Sequence, residues 1–259
     1  MIEKARSGRV RAVTWRPARG GDTADQPESL DEETVGAVVI PGTTDTAESA
    51  ATQKLLEVMR LRDPDLADHG LRAAHMAAAI AGEMGLDTEE VDRTYLGGLL
   101  HDLGKMGVPE AVLWKPSGLD ATEWRAVRAH PQEGHRLVVD ITHRDVAAAV
   151  LYHHERVDGE GYPHGTDMRS LPLTVRIVQV ADAYDAMTSN RPYEGALPPA
   201  VAIAEINRCA GTQFDPEVAS ALNRLLAARL EGEVITLPPH VETLPADPFT
   251  EPVNWPDED

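Results

Sequence analysis

The stretch DVAAAVLYHHERVDGEGYP, residues 145–163, decides how this chain is read. Its first half is an apolar run of helix formers, and its second half breaks the chain with a glycine-rich loop and a proline. Two adjacent histidines stand at the junction. A core helix gains little from a polar pair at its end, whereas a metal site would use both rings. The reading holds only if the rest of the chain supplies more helices, with more ligands at their ends.

The helices are there. AESAATQKLLEVMRL (47–61) and LADHGLRAAHMAAAIAGEM (66–84) carry apolar residues at helical spacing, and Gly85 closes the second as a C-terminal cap. DTEE (87–90) starts a helix that runs through VDRTYLGGLLHDL and stops near Gly104. DATE (120–123) starts another, reaching His130 and Pro131. LTVRIVQVADAYDAMTS (173–189), PAVAIAEINRCA (199–210) and PEVASALNRLLAARL (216–230) complete the set. There is no alternating strand series and no internal repeat. The fold class is all-α, about seven to ten helices over residues 49–230.

Both ends differ from this middle. Residues 1–19 hold six basic residues and one acid, and residues 20–50 hold eight acids and no Lys or Arg. VGAVVIP (35–41) is a candidate short strand in otherwise linker-like surroundings. The tail 231–259 carries eight acids and six prolines without a basic residue. Segments 1–48 and 231–259 are therefore expected to be flexible. With 24 Lys and Arg against 43 Asp and Glu, the net charge is −19, which repels DNA and anionic membranes as main partners. An anionic small substrate would need a strongly positive local site, which bound metal ions would supply. Cys209 is the single cysteine, so no internal disulfide forms and a cytoplasmic setting is the default. No apolar run approaches the roughly 20 residues that span a bilayer.

Among the ten histidines, five fall where structure can aim them inward. His101 and Asp102 end the apolar run YLGGLL. His130 precedes a proline, at a helix junction. His153 and His154 end the helix quoted above, and His69 lies within one. Asp182 sits in the middle of the apolar VRIVQVADAYDAM, where a bare carboxylate would cost several kcal/mol. Each alone is compatible with an ordinary structural role; together, five histidines and two aspartates point to metal. Imidazole and carboxylate without thiolate favour Fe, Mn, Zn or Co over a cysteine-type zinc site, and about seven ligands suit two ions. His75, six residues past His69, should point away from it and be exposed. His135, His143 and His240 are expected on the surface and His164 in a plain loop.

HDLGK (101–105) followed by HHERVDGEGYP (153–163) resembles the HD-GYP family, helical metal-dependent phosphodiesterases that hydrolyse cyclic di-GMP. RDPDLADH (62–69), HP (130–131), ADAYDAMTSNRPY (181–193) and GTQFDPE (211–217) fit the same pattern in order, so the resemblance covers about residues 55–228. It implies an HD-type helical bundle. His69, His101, Asp102 and Asp182 would hold one divalent ion, and Asp102 would bridge to a second held by His130, His153 and His154. Iron or manganese would be preferred over zinc, cobalt or magnesium, and the ions would activate a water for attack on phosphorus. Asp102 and Lys105 would serve catalysis, and Lys105, Tyr162 and Arg191 would contact substrate. Glu155 and Asp185 would orient ligand rings, and Gly159 and Gly161 would make the turn that presents Tyr162. Asp65, one turn before His69, stands where some members place an acid for a third metal.

The chain departs from the family at Glu194 and Gly195, which follow RPY where basic residues are common. That keeps another cyclic dinucleotide or nucleotide phosphoester open as substrate, and a low-turnover module that binds nucleotide or partner as a further alternative. The 50 or so residues ahead of the helices are too few for a sensory domain, so a signalling protein partner or the tails are expected to regulate.

Overall fold

The alanine-rich segment around His75 forms the centre of the molecule because small side chains let other helices approach it closely. The computed structural model describes residues 46–230, apart from Pro116 and residues 190–194. The candidate strand 35–41, His240, Arg191 and Glu194 therefore lie outside the described residues. Ten α-helices follow one another: α1 (Thr46–Arg62), α2 (Pro64–Glu83), α3 (Thr88–Leu100), α4 (Glu110–Leu113), α5 (Ala121–Arg128), α6 (His130–Val138), α7 (Arg144–Tyr152), α8 (Leu173–Thr188), α9 (Pro199–Arg208) and α10 (Pro216–Leu230). Two 3-10 turns, Leu103–Gly107 and Met168–Ser170, complete the described elements, which include no strand.

Local chemistry sets the helix starts. Asp63 accepts from the Leu66 amide at 3.0 Å and Pro64 opens α2. Asp87 with Glu90 and Asp120 with Glu123 form reciprocal capping boxes at α3 and α5. Gly85, at φ +75°, ends α2 in the left-handed conformation. His143 is exposed and caps α7 by accepting from the Asp145 amide.

Packing is tightest where α2, α3, α7 and α8 meet. A Cβ on Gly98 would lie 2.8 Å from the Ala74 Cα, and one on Gly97 would lie 2.9 Å from the Ala149 Cβ. These glycines set how close α3 comes to its neighbours. Residues 73–81 of α2 are all buried. His75 is accordingly not on the surface: it points away from His69 but into the core, with its ring 5.5 Å from that of Tyr95. The expectation of exposure failed because α2 is covered on every side at its middle.

Two boundaries also differ from the sequence reading. The helix from Asp87 ends at Leu100, and Leu103–Gly107 tightens into a 3-10 turn. The helix from Asp120 stops at Arg128, and a new one begins at His130. These two sites are in contact. A Cβ on Gly104 would fall 1.9 Å from the His130 carbonyl oxygen and 2.5 Å from the Gly134 amide nitrogen. Only glycine fits there, and that contact seats the HD turn against the start of α6.

Candidate metal centre

Five stretches of chain deliver the candidate ligands. His69 comes from α2, His101 caps the end of α3, and Asp102 begins the link to the 3-10 turn. His130 is the first residue of α6, His153 caps α7 with His154 next to it, and Asp182 comes from the middle of α8. Their coordinating atoms fall into two sets, His69, His101 and Asp182 in one and Asp102, His130, His153 and His154 in the other. Within each set the atoms lie within 4.8 Å of one another, and each set could hold a metal ion.

Asp102 joins the sets. Its Oδ2 lies 3.5 Å from His69 Nε2 and 3.4 Å from His101 Nε2. Its Oδ1 lies 3.2 Å from His130 Nε2 and 3.8 Å from His153 Nε2. Asp182 Oδ1 stands 3.2 Å from His69 Nε2 and 3.6 Å from His101 Nε2.

The rings are held from behind. The Nδ1–H groups of His101, His130 and His153 donate to the carbonyls of Gly98, Val127 and Val150 at 2.7, 2.7 and 3.0 Å. His69 uses Asp185 instead, at 2.7 Å. A carbonyl only accepts, so Nδ1 of His101, His130 and His153 carries a proton, and the Nε2 atom of each ring faces the centre. The Nε2 atoms of His130 and His153 then face each other at 3.1 Å, and those of His69 and His101 at 3.3 Å. Such pairs repel unless a proton or a cation lies between them. Asp102 Oδ1 is buried and accepts no hydrogen bond. An orphaned carboxylate oxygen among facing imidazole nitrogens is the environment a divalent cation satisfies.

The charges follow. Burial works against ionised Asp102, but Lys105 and His101 outweigh it and hold its carboxyl well below the usual range. Asp182 is likewise held down, burial being overcome by His101 and His69. Burial opposes protonation of His101, yet Asp102 and Asp182 push it up to about 9. His69 is raised for the same reason, with Asp185 contributing. Burial and neighbouring imidazoles push His153 well below its ordinary value, and burial foremost takes His154 to about 4. His69 and His101 are therefore pushed toward the protonated ring, and His153 and His154 toward the neutral one.

Around the centre, Lys105 Nζ donates to Asp102 Oδ2 at 2.5 Å from a partly exposed position. Tyr162 lies flat on His154, ring centroids 4.6 Å apart. Asp65 is exposed and belongs to neither ligand set; it lines a cavity of about 180 Å³ with Arg62, Lys105 and Trp114. Glu155 does not orient a ligand ring. It is fully buried and accepts from the amides of His164 and Thr166 at 2.7 and 2.9 Å, pinning the loop that carries Tyr162. Gly161 fits against that same corner, where a Cβ would meet the His154 carbonyl oxygen and Glu155 Cα at 2.5 Å. Asp185 does hold the ring of a candidate ligand, His69. Sequence reading missed Arg72 behind Asp185 and Arg128 over Tyr162, since neither sits in a motif.

The chain is 35% identical over 232 residues to a cyclic di-GMP phosphodiesterase of Pseudomonas aeruginosa, covering 86% of this chain and 53% of that one. It is 37% identical over 180 residues to a cyclic di-GMP phosphodiesterase response regulator of Xanthomonas campestris pv. campestris, covering 68% and 48%. A 3'3'-cGAMP-specific phosphodiesterase of Vibrio cholerae is 36% identical over 173 residues, 66% of this chain and 37% of that one. The chain thus spans about half the length of the first relatives, and less of the third. Among solved structures, an HDG"Y"P protein from Bdellovibrio bacteriovorus shares the fold at a TM-score of 0.54 and 23% identity, over 70% of this chain and 62% of that one. No helix among the described residues is long and apolar enough to cross a membrane. The model of the HD domain family matches residues 53–218, and the chain belongs to that family.

Proposed function

We propose that this chain is a metal-dependent phosphodiesterase that opens a cyclic dinucleotide, cyclic di-GMP first, to the linear dinucleotide. The single observation that carries the reading is the division of Asp102 between two sets of inward-facing imidazoles. The names of the relatives support the substrate class. In the reaction, water adds across one phosphodiester P–O bond. The 5' end keeps the phosphate, and the departing 3' oxygen leaves as a hydroxyl.

His69, His101 and Asp182 would hold one cation, and His130, His153 and His154 a second, with Asp102 shared. Bound divalent cations supply charge neutralisation at the phosphate and lower the pKa of water. Imidazole and carboxylate donors without thiolate favour Fe, Mn, Zn or Co over a cysteine-type zinc site, and the family resemblance implies iron or manganese among these. Asp65, one turn before His69 beside the cavity, is the candidate ligand for a third. Lys105 orients Asp102 and offers its ammonium to a phosphate oxygen, and Arg191 contacts phosphate as the resemblance implies. The backs of the four rings cannot rotate without losing a hydrogen bond, so the site is preorganised. Tyr162 bounds the substrate space on the His154 side. The lone cysteine fits a cytoplasmic setting.

A second reading replaces the substrate with 3'3'-cGAMP, on the strength of the Vibrio cholerae relative. The test is anaerobic purification, metal analysis and chromatography of products from cyclic di-GMP, 3'3'-cGAMP and cyclic di-AMP. Two metal equivalents and linear product from cyclic di-GMP are expected. Turnover of 3'3'-cGAMP alone selects the second reading. Metal-loaded protein that hydrolyses none of them overturns both and leaves a binding module.

A further inference from the structure

Tyr162 is in contact with two planar groups. His154 stacks on its ring at 4.6 Å with the planes 25° apart, and the Arg128 guanidinium carbon lies over the same ring, 4.8 Å from its centroid. His154, Tyr162 and Arg128 therefore form a column of contacts that starts at a candidate ligand of the metal centre and ends, at Arg128, in solvent.

Among the described residues the cation at the end of that column forms no ion pair, as is true also of Arg60, Arg62 and Arg125. The other arginines of the surface are mostly matched: Arg93 with Glu89 and Asp145, Arg136 with Glu133, Arg156 with Asp158, Arg169 with Asp167 and Arg208 with Glu205. Arg128 is in none of the ion pairs among the described residues, in a chain of net charge −19 where acids are plentiful. A guanidinium presents its N–H donors in a rigid planar fork. That geometry suits two parallel hydrogen bonds to a phosphate.

We infer that Arg128, fixed by the face of Tyr162, binds the second phosphate of a cyclic dinucleotide, the one that is not being cleaved. The inference rests on the phosphodiesterase reading above. A cyclic dinucleotide carries two phosphates on opposite sides of one ring, so a phosphate seated at the cations puts the other a short distance away and in need of its own cation. It also gives Tyr162 a defined part: the ring is a platform that aims Arg128, not a surface on which a base stacks.

The experiment compares wild type with Arg128→Gln and Arg128→Lys on cyclic di-GMP and on bis(p-nitrophenyl) phosphate, a diester with one phosphate only, in metal-loaded protein at low and high salt. Arg128→Gln should raise KM for cyclic di-GMP about tenfold, with a loss on the small diester less than a third as large. It should also flatten the salt dependence of KM, because an exposed charge contact is screened. Arg128→Lys should fall between, keeping the salt dependence but not the fork. Equal losses on both substrates with an unaltered salt slope would overturn the inference and leave Arg128 a support for the loop. A salt-independent loss confined to cyclic di-GMP would also overturn it, in favour of base stacking. Wild type that cleaves the small diester but no cyclic dinucleotide would defeat the substrate reading instead.

Discussion

His69 donates through Nδ1 to Oδ2 of Asp185 over 2.7 Å, across 116 residues of chain. Asp185 is in turn gripped by Arg72, whose Nε and a terminal nitrogen donate to its two oxygens at 2.7 and 3.1 Å. Burial pushes the Asp185 carboxyl up, but these bonds outweigh it and keep it ionised. The anion behind the ring fixes its tautomer and makes Nε2 a better donor to a cation. Asp185→Asn keeps the shape and removes the charge. It should weaken metal retention at the His69 set by 10- to 100-fold while leaving the fold intact. Competition with a chromophoric chelator, alongside circular dichroism, checks this.

Asp102 touches both sets, so its loss should not resemble the loss of one ligand. Asp102→Asn is expected to lower metal content in both sets and reduce phosphodiester turnover by at least about a thousandfold, whereas Asp182→Asn should deplete mainly the set it shares with His69 and His101. Metal analysis of the two variants after identical dialysis decides it; equal depletion would contradict the bridging geometry.

Protonation separates His69 and His101 from His153 and His154. His101 rises from 6.5 to about 9 in the folded metal-free protein. A folded pKa above the unfolded one stabilises the fold fully below pH 6.5, and that contribution is lost as pH climbs through about 9. The same protons compete with a cation. Mn²⁺ uptake at the His69 and His101 set should therefore strengthen by up to about tenfold per pH unit between 6.5 and 9 for each proton displaced. His153 and His154, the latter near 4, should release no protons over that range. Calorimetric titration in buffers of different ionisation enthalpy counts the released protons.

Gly104→Ala should be among the most damaging single-methyl changes in the molecule. Its Cβ would meet backbone atoms of His130 and Gly134, which cannot rotate aside. A loss of about 3 kcal/mol or more is expected, with His130 displaced from the centre. Gly107, three residues on, has no atom within 4 Å of a built Cβ, so Gly107→Ala in the same turn should be close to neutral. Denaturant melts of the pair measure the contrast.

Glu155→Ala would take the acceptor away from the partly buried amides of His164 and Thr166. Each unsatisfied donor costs about 1–3 kcal/mol, and the loop bearing Tyr162 should open. KM should rise with metal content preserved, the opposite of a ligand mutation. Loss of metal in this variant would show that Glu155 acts on the centre after all.

The residue types, their order and the helices that carry them were all present in the linear chain. Apolar spacing, capping boxes at Asp87 and Asp120, and the HD and HHE strings are local, and local pattern is what periodicity and short motifs report. Contacts between distant residues are not local, so the chain alone could not supply them. The family resemblance implied that Asp102 is shared between two groups of rings, but nothing in the chain revealed that Arg72 stands behind Asp185 or that Arg128 covers Tyr162. Sequence reading misjudged His75, because exposure depends on what packs around a helix, and misassigned Glu155, because a buried acid takes whichever donors the fold brings to it. Amino-acid order determined which chemistry was possible here; close packing through glycines at 97, 98, 104 and 161 decided where each donor and acceptor came to rest.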